Sequence, residues 1–432
     1  MISDTTPVFA VDEKNLVPVS EHLKQMMDIP PSRMFLINKS LKVYQEKNPG
    51  APIYDASQGD GGASLPGVPR AILQRALELQ IQHGSAYDMP FGTEAYRQSV
   101  IEQYWKLDSS SGWGAGNVLA TAGGRDGLVK VYQAMMALGH GRQGDLIMVA
   151  RVPWISYNWG PYGVGANVLW APGDPAQGWA YSEDAIVESV KFAESKGRKL
   201  AGLVITNPDN PTGLTVPVEK QVSLAKCALD SGIAFVLFDW MYHYVTDESP
   251  MDLNSFLKYF TPEERKRIMF LDGITKSLGA SNIRNCHVIA DEAVIKFITA
   301  RASHGVIPSF YSLAVAMAAY EMGFAEAAKT ISEPTNASRV VLKKLLAESG
   351  LQHIIGKGYY AFMNVGEFIK AKGWADTEPL GQYLAENHGV AVVPGAFFSP
   401  FGGEWIRFSY ATPVNRTEGA FKRLVEGLNA PK

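Results

Sequence analysis

From about residue 65 to 305, short apolar runs alternate with longer stretches of helical periodicity, and this alternation constrains the fold more than any other feature. Runs at 146–152, 168–171, 200–206, 234–240 and 268–272 read as strands, and 182–196 and 219–231 between them read as helices. Strand, helix, strand in repetition requires crossovers, so the expected class is α/β: a mostly parallel central sheet with helices on both faces. Thr261-Pro262-Glu263-Glu264 carries a capping box with proline at the first helical position, a further helix start.

The pattern changes after about residue 305. Long helices are expected at 313–327 and 332–349, then short strands near 358–365, 390–393 and 406–409, an α+β arrangement. Residues 1–62 are too few to fold alone and are expected to pack on that part. The expected organisation is a large α/β domain over 63–305 and a smaller α+β domain formed by 1–62 and 306–432.

Among 432 residues, 46% are apolar and 19% charged, as in ordinary globular proteins, and the net charge of −3 leaves no basic footprint for nucleic acid or an anionic membrane. No uncharged apolar run approaches the roughly 18 residues of a membrane span. The N-terminus lacks the basic and apolar regions of a secretory signal. Cys227 and Cys286 lie far apart and the eight histidines show no ligand spacing, so no metal site is expected and a reducing cytosol is the expected compartment.

Three successive strand ends carry one polar residue each. Asn207-Pro208-Asp209-Asn210-Pro211-Thr212-Gly213 follows the 200–206 run; its prolines fix the backbone, Gly213 releases it into a turn, and Asn210 is presented at a strand mouth. Ligands bind at such mouths in α/β sheets, although the same residues also make plain surface turns. Asp239 closes the next run and Lys276 follows the one after. A carboxylate ending a buried strand is costly unless it meets a cation or donors, and a buried lysine loses basicity and becomes nucleophilic. A structural ion pair is the simpler reading of the two. The other is pyridoxal phosphate, whose aldehyde takes a lysine as a Schiff base and whose ring nitrogen is kept protonated by a carboxylate.

These segments resemble the fold type I pyridoxal-phosphate enzymes, the class I/II aminotransferases. The resemblance implies that Asn210 bonds the cofactor's phenolic oxygen, together with Tyr242 of Asp239-Trp240-Met241-Tyr242, while Asp239 faces the ring nitrogen. It implies that Lys276, in Thr275-Lys276-Ser277-Leu278-Gly279, forms the Schiff base, that Thr275 is among the cofactor-binding residues and that Arg284 binds the phosphate. Thr121-Ala122-Gly123-Gly124-Arg125-Asp126 is similar to the loop that holds the phosphate at a helix N-terminus, where free N–H groups and the helix dipole favour an anion. Trp154 matches the residue stacked on the pyridine ring. Tyr87, in Tyr87-Asp88-Met89-Pro90, matches one that reaches the neighbouring subunit's phosphate, which implies a homodimer with shared active sites. Arg407, in Trp405-Ile406-Arg407-Phe408-Ser409, and Gly59 match the positions facing the substrate α-carboxylate, a task suited to a guanidinium fork.

The chain departs from the family pattern in places. Gly273 stands where many relatives have serine, Asn282 and Cys286 flank Arg284 where glycines are usual, and Trp240 replaces a common glutamate. Arg125 is uncommon in the phosphate loop and is a candidate to compensate for the hydroxyl missing at 273. His243 reads as a structural histidine. Arg33 and Arg301 are candidates for a second substrate-binding arginine, and Phe91, Tyr157 and Tyr311 for an aromatic wall or for core. The implied activity is amino-group transfer between an L-amino acid and a 2-oxo acid. Its alternatives are a lyase, decarboxylase or oxygen-using oxidase with the same cofactor, and then a non-catalytic cofactor-binding module of a regulator.

Overall fold

The computed structural model describes residue 29 and residues 33–430. Residues 1–28 and 30–32, part of the N-terminal segment expected to pack on the smaller domain, lie outside the described residues.

Strand β1 (Tyr54–Asp55) lies apart from the main sheet. That sheet comprises β2 (Val118–Thr121), β3 (Leu146–Val149), β4 (Asn167–Trp170), β5 (Leu200–Thr206), β6 (Phe235–Asp239), β7 (Ile268–Asp272) and β8 (Cys286–Ala290), in the order β2-β8-β7-β6-β5-β3-β4. Strands β3 to β7 pair in parallel, whereas β8 runs antiparallel to both its neighbours, β7 and β2. The fold is α/β with a mostly parallel central sheet, as expected. β5 and β7 have the expected bounds. The expected run extends past the strand, which ends at Val149; Val152 packs in a separate cluster with Phe362 and Phe398.

Helices Glu183–Ser195 and Val218–Asp230 supply crossovers, the first capped by Ser182, whose side chain accepts from Ala185 N–H. The capping box at Thr261 is present, but the helix it starts, Pro262–Arg265, is a single turn because the chain passes directly into β7. Helix Phe310–Glu321 is apolar on every side and buries Leu313 to Ala319 in the same cluster as Ile72 and Ala76 of helix Arg70–His83.

A second sheet is antiparallel, with β9 (His353–Ile355), β10 (Tyr360–Asn364), β12 (Val393–Pro394) and β13 (Trp405–Ser409) in the order β12-β13-β10-β9. The expected strand at 390–393 is split: β11 (Val390–Ala391) pairs in parallel with β1, and only β12 joins the second sheet. Helices Lys329–Ser349 and Val414–Asn429 cover it, burying Leu342, Leu346, Phe421 and Leu424.

One register decides where chemistry can occur. Thr206 pairs with Asp239 and Asp239 with Leu271, so β5, β6 and β7 end level with one another. The segments bearing Asn210, Asp239 and Lys276 therefore leave the sheet along one edge, facing β10 and β13 of the second sheet.

Candidate active site

The segment after β5 is tightly tied. Asp209 N–H donates to the Leu214 carbonyl at 2.8 Å, and the half-buried Asp209 carboxylate, pushed up to about 6 by desolvation, accepts from Thr212 N–H and Oγ1. Both bonds preceding proline, Asn207-Pro208 and Asn210-Pro211, are cis. Gly213 has φ +74°, and a Cβ there would lie 2.0 Å from the Tyr360 carbonyl oxygen, so only glycine fits. The buried Asn210 side chain is thereby fixed, and its Oδ1 accepts from Arg407 Nη1 at 2.9 Å.

Arg407 comes from β13 and is 2% exposed. Its Nη2 donates to the Ser57 carbonyl at 2.8 Å, its guanidinium lies 4.2 Å from the Tyr360 ring centre, and its Nε has no partner among the described residues.

Asp239 ends β6 and is buried. Its carboxylate accepts from Tyr157 Oη at 2.6 Å and from Met241 N–H at 3.1 Å, and burial pushes it up to about 6 although both bonds pull the other way. Tyr242 places its hydroxyl 3.1 Å from that of Tyr360. Lys276 donates from Nζ to the Gly59 carbonyl, and burial lowers its ammonium to about 8, opposed chiefly by the Asp60 carboxylate.

The other end of the site is built around helix Gly124–Leu138. Gly123 precedes it with φ +88°, and a Cβ there would lie 2.2 Å from Arg284 Nη2. Arg284 itself adopts φ +61° and donates to the Ser281 carbonyl at 2.7 Å and the Ala122 carbonyl at 3.3 Å. Arg125 lies over the Trp154 ring at 5.8 Å, and Trp154 meets Tyr157 edge to face. Thr275 Oγ1 lies 3.2 Å from Cys286 Sγ.

A cavity of about 730 Å³ joins these parts, lined by Gly59, Gly124, Arg125, Trp154, Asn210, Tyr242, Thr275, Lys276, Arg284 and Arg407. Asp239 and Gly123 stand behind its wall. Tyr87 is not at this cavity; it is 99% exposed on the outer surface. Arg33 pairs with Glu378 at 2.6 Å and Arg301 lies over Phe297, so neither lines the cavity. Phe91 and Tyr311 are likewise away from its wall. The cavity also brings in Asn38, Asp55, Ser57, Gln58, Asp60 and Tyr360, which sequence reasoning had not singled out. Tyr157 had been weighed only as wall or core, because no local pattern signals a long-range donor to Asp239.

His243 is structural, as expected. Its Nδ1 accepts from Met251 N–H at 3.0 Å, which leaves the proton on Nε2 to bond Asp272 at 2.6 Å. Tyr104 also donates to that carboxylate.

The family model for aminotransferase class I and II matches residues 62–426, and the chain belongs to this family of amino-transferring, fold type I enzymes. It is similar to the aspartate aminotransferase of Bacillus sp. strain YM-2, 24% identical over 363 residues that cover 83% of this chain and 87% of that one. It is also similar to the aspartate aminotransferase of Sulfurisphaera tokodaii, at 28% identity over 85% of this chain and 89% of the relative. Among solved structures, the Thermus thermophilus aspartate aminotransferase with maleate superposes with a TM-score of 0.77 at 21% identity, over 95% of this chain and 100% of that chain.

Proposed function

We propose that the protein moves an amino group between an L-amino acid and a 2-oxo acid, with pyridoxal 5'-phosphate attached at Lys276. The observation that carries this reading is the convergence of Lys276, Tyr242, Asn210 and Arg407 on one cavity, with Asp239 buried behind it. Three features fit the cofactor. Asp239 is a buried carboxylate that meets only hydrogen-bond donors, as suits a protonated ring nitrogen. Gly123 leaves open the space beside Arg284 that a Cβ would fill, next to a helix N-terminus suited to phosphate. Arg407 keeps a buried Nε without a partner, as suits a carboxylate ligand.

Bound there, the cofactor supplies an electron sink for bond breaking at the substrate α-carbon. The chain supplies the rest. Lys276, lowered to about 8, is partly neutral near pH 7 and so would serve as the attachment amine and hold or move a proton at its Nζ. Arg407 grips the substrate α-carboxylate with Gly59 alongside. Asn210 and Tyr242 would hold the cofactor's phenolic side, and Trp154 would flank its ring. Gly124, Arg125, Thr275 and Arg284 hold the phosphate, joined by Tyr87 from the second protomer of a homodimer. The near-complete exposure of Tyr87 supports a role outside its own subunit. The unit bearing the main sheet holds the cofactor, and the second sheet brings Arg407 to it.

The test is product analysis with a panel of amino acids, with and without 2-oxoglutarate or pyruvate. New amino acid in the presence of the acceptor supports transfer, whereas ammonia or peroxide without it overturns the reading. Lys276→Ala should abolish turnover, and steady-state activity retained in that variant would also overturn it. Light scattering tests the dimer.

A further inference from the structure

The charges on the cavity wall do not balance for an acidic substrate. Arg125, Arg284 and Arg407 supply three fixed positive charges. A phosphate monoester brings nearly two negative charges and an α-carboxylate one, which together match those arginines. Asp55 and Asp60 remain on the same wall. Asp55 accepts from Ser57 N–H at 2.9 Å, from Ser57 Oγ and from Gln58 Nε2 at 3.0 Å, so it is hydrogen-bonded without being neutralised. Asp60 accepts a single hydrogen bond, from Gly62 N–H at 3.1 Å, and forms no ion pair among the described residues.

The position of Asp60 is as informative as its charge. It follows Gly59, whose carbonyl takes Lys276 Nζ, and its carboxylate shares the cavity wall with that lysine and favours the ammonium against burial. A group attached to the substrate α-carbon, held between Lys276 and Arg407, therefore leaves the reacting centre close to Asp60. Asn38 and Gln58 on the same wall add dipoles and no positive charge. Arg125 is the one further cation at the cavity wall among the described residues, and its place at the start of helix Gly124–Leu138, beside Arg284, assigns it to phosphate.

We propose that Asp60, with Asp55 behind it, receives a positively charged substrate side chain, so that the substrates are amino acids ending in an ammonium or guanidinium group rather than dicarboxylic ones. The proposal rests on the reading of this cavity as the amino-transfer site. A dicarboxylic side chain would meet two carboxylates there, with no unassigned cation among the described residues of the same protomer, and like charges at close range are rejected.

The experiment has two arms. In the first, the cofactor-loaded protein is titrated with L-lysine, L-ornithine, L-arginine, L-norleucine, L-aspartate and L-glutamate, following its visible absorbance and, with a 2-oxo acid, turnover. In the second, calorimetry measures L-lysine and L-aspartate binding to Lys276→Ala, which cannot turn over. Basic amino acids should be favoured over dicarboxylic ones by about tenfold or more in both arms, the effect of one partly desolvated charge pair. Asp60→Asn, which keeps an acceptor for Gly62 N–H, should reduce that ratio about tenfold, and Asp60→Ser provides a second variant should the first fail to fold. Equal or better use of aspartate by the unaltered protein would overturn the proposal, as would a ratio unmoved by both variants. Selective loss of aspartate turnover on Arg125→Ala, with cofactor occupancy and L-lysine turnover unchanged, would also overturn it, by assigning that arginine to a substrate carboxylate. If the binding ratio holds and responds to Asp60 while no amino group reaches a 2-oxo acid, the reaction assignment fails and the side-chain assignment stands.

Discussion

Tyr157 donates its hydroxyl to Asp239 across 2.6 Å at the buried end of the main sheet, and this bond favours the ionised carboxylate where burial opposes it. Removing the donor should be felt as a charge effect. Tyr157→Phe gives up a hydrogen bond to a charged group, worth about 1.5–3 kcal/mol, or about one to two pH units in Asp239. The acidic limb of the kcat/KM profile should therefore move upward, with turnover near pH 7 falling about tenfold. A pH–rate series on both proteins checks this.

The same carboxylate should leave a mark on the stability of the cofactor-free protein. Its folded value of about 6 lies above the ordinary 3.8, so between those values the folded chain holds a proton that the unfolded chain has lost. Stability from this group is therefore greatest below about 4 and falls as pH rises through about 6. Asp239→Asn should melt close to the parent at pH 4 and higher than it at pH 7.5, by the equivalent of about 1–3 kcal/mol. Thermal melts at the two pH values test the sign.

Attachment of the cofactor should follow the free amine of Lys276. With its ammonium lowered from 10.5 to about 8, the rate at which cofactor-free protein takes up pyridoxal phosphate should rise about tenfold per pH unit below 8 and level off above it. Stopped-flow absorbance at several pH values gives the profile. A rise continuing toward 10.5 would show that burial does not tune this lysine.

At the other end of the cavity, Gly123→Ala introduces a Cβ where only 2.2 Å separates it from Arg284 Nη2, at a φ of +88° that side chains resist. The strain is of order 1–3 kcal/mol, and it displaces an arginine assigned to phosphate. Cofactor affinity should weaken at least about tenfold by equilibrium titration, accompanied by a lower melting temperature.

Arg407→Lys retains a charge and loses the fork. A lysine cannot serve Asn210 and the Ser57 carbonyl in the same geometry, nor offer a carboxylate two parallel donors. Substrate kcat/KM should fall about 10- to 100-fold, mainly through KM, in steady-state assays.

Much of this site was readable along the chain because its chemistry sits at strand ends. Asn210, Asp239 and Lys276 each follow an apolar run, and β5, β6 and β7 finish in register. The main-sheet strands that escaped notice, β2 and β8, are the ones outside the parallel rhythm. β8 reverses direction and places His287 in an otherwise apolar strand, where the Nε2 of that histidine accepts from buried Trp105. Partners brought together only by folding carried no local signal. Tyr157 lies 82 positions from Asp239, and Ser57 lies 350 from Arg407. Asp60 directly follows Gly59 in the chain, but its importance depends on which charges surround it, and spacing alone does not report that.

The contact between Arg407 and Asn210 has a consequence for how ligands come and go. The guanidinium already holds an amide oxygen and a backbone carbonyl of its own chain at 2.9 and 2.8 Å. In the role proposed for Arg407, an arriving carboxylate would enter by exchange, competing with these internal acceptors. Its affinity would be set by the difference between two sets of hydrogen bonds, because Asn210 and the Ser57 carbonyl already satisfy the guanidinium.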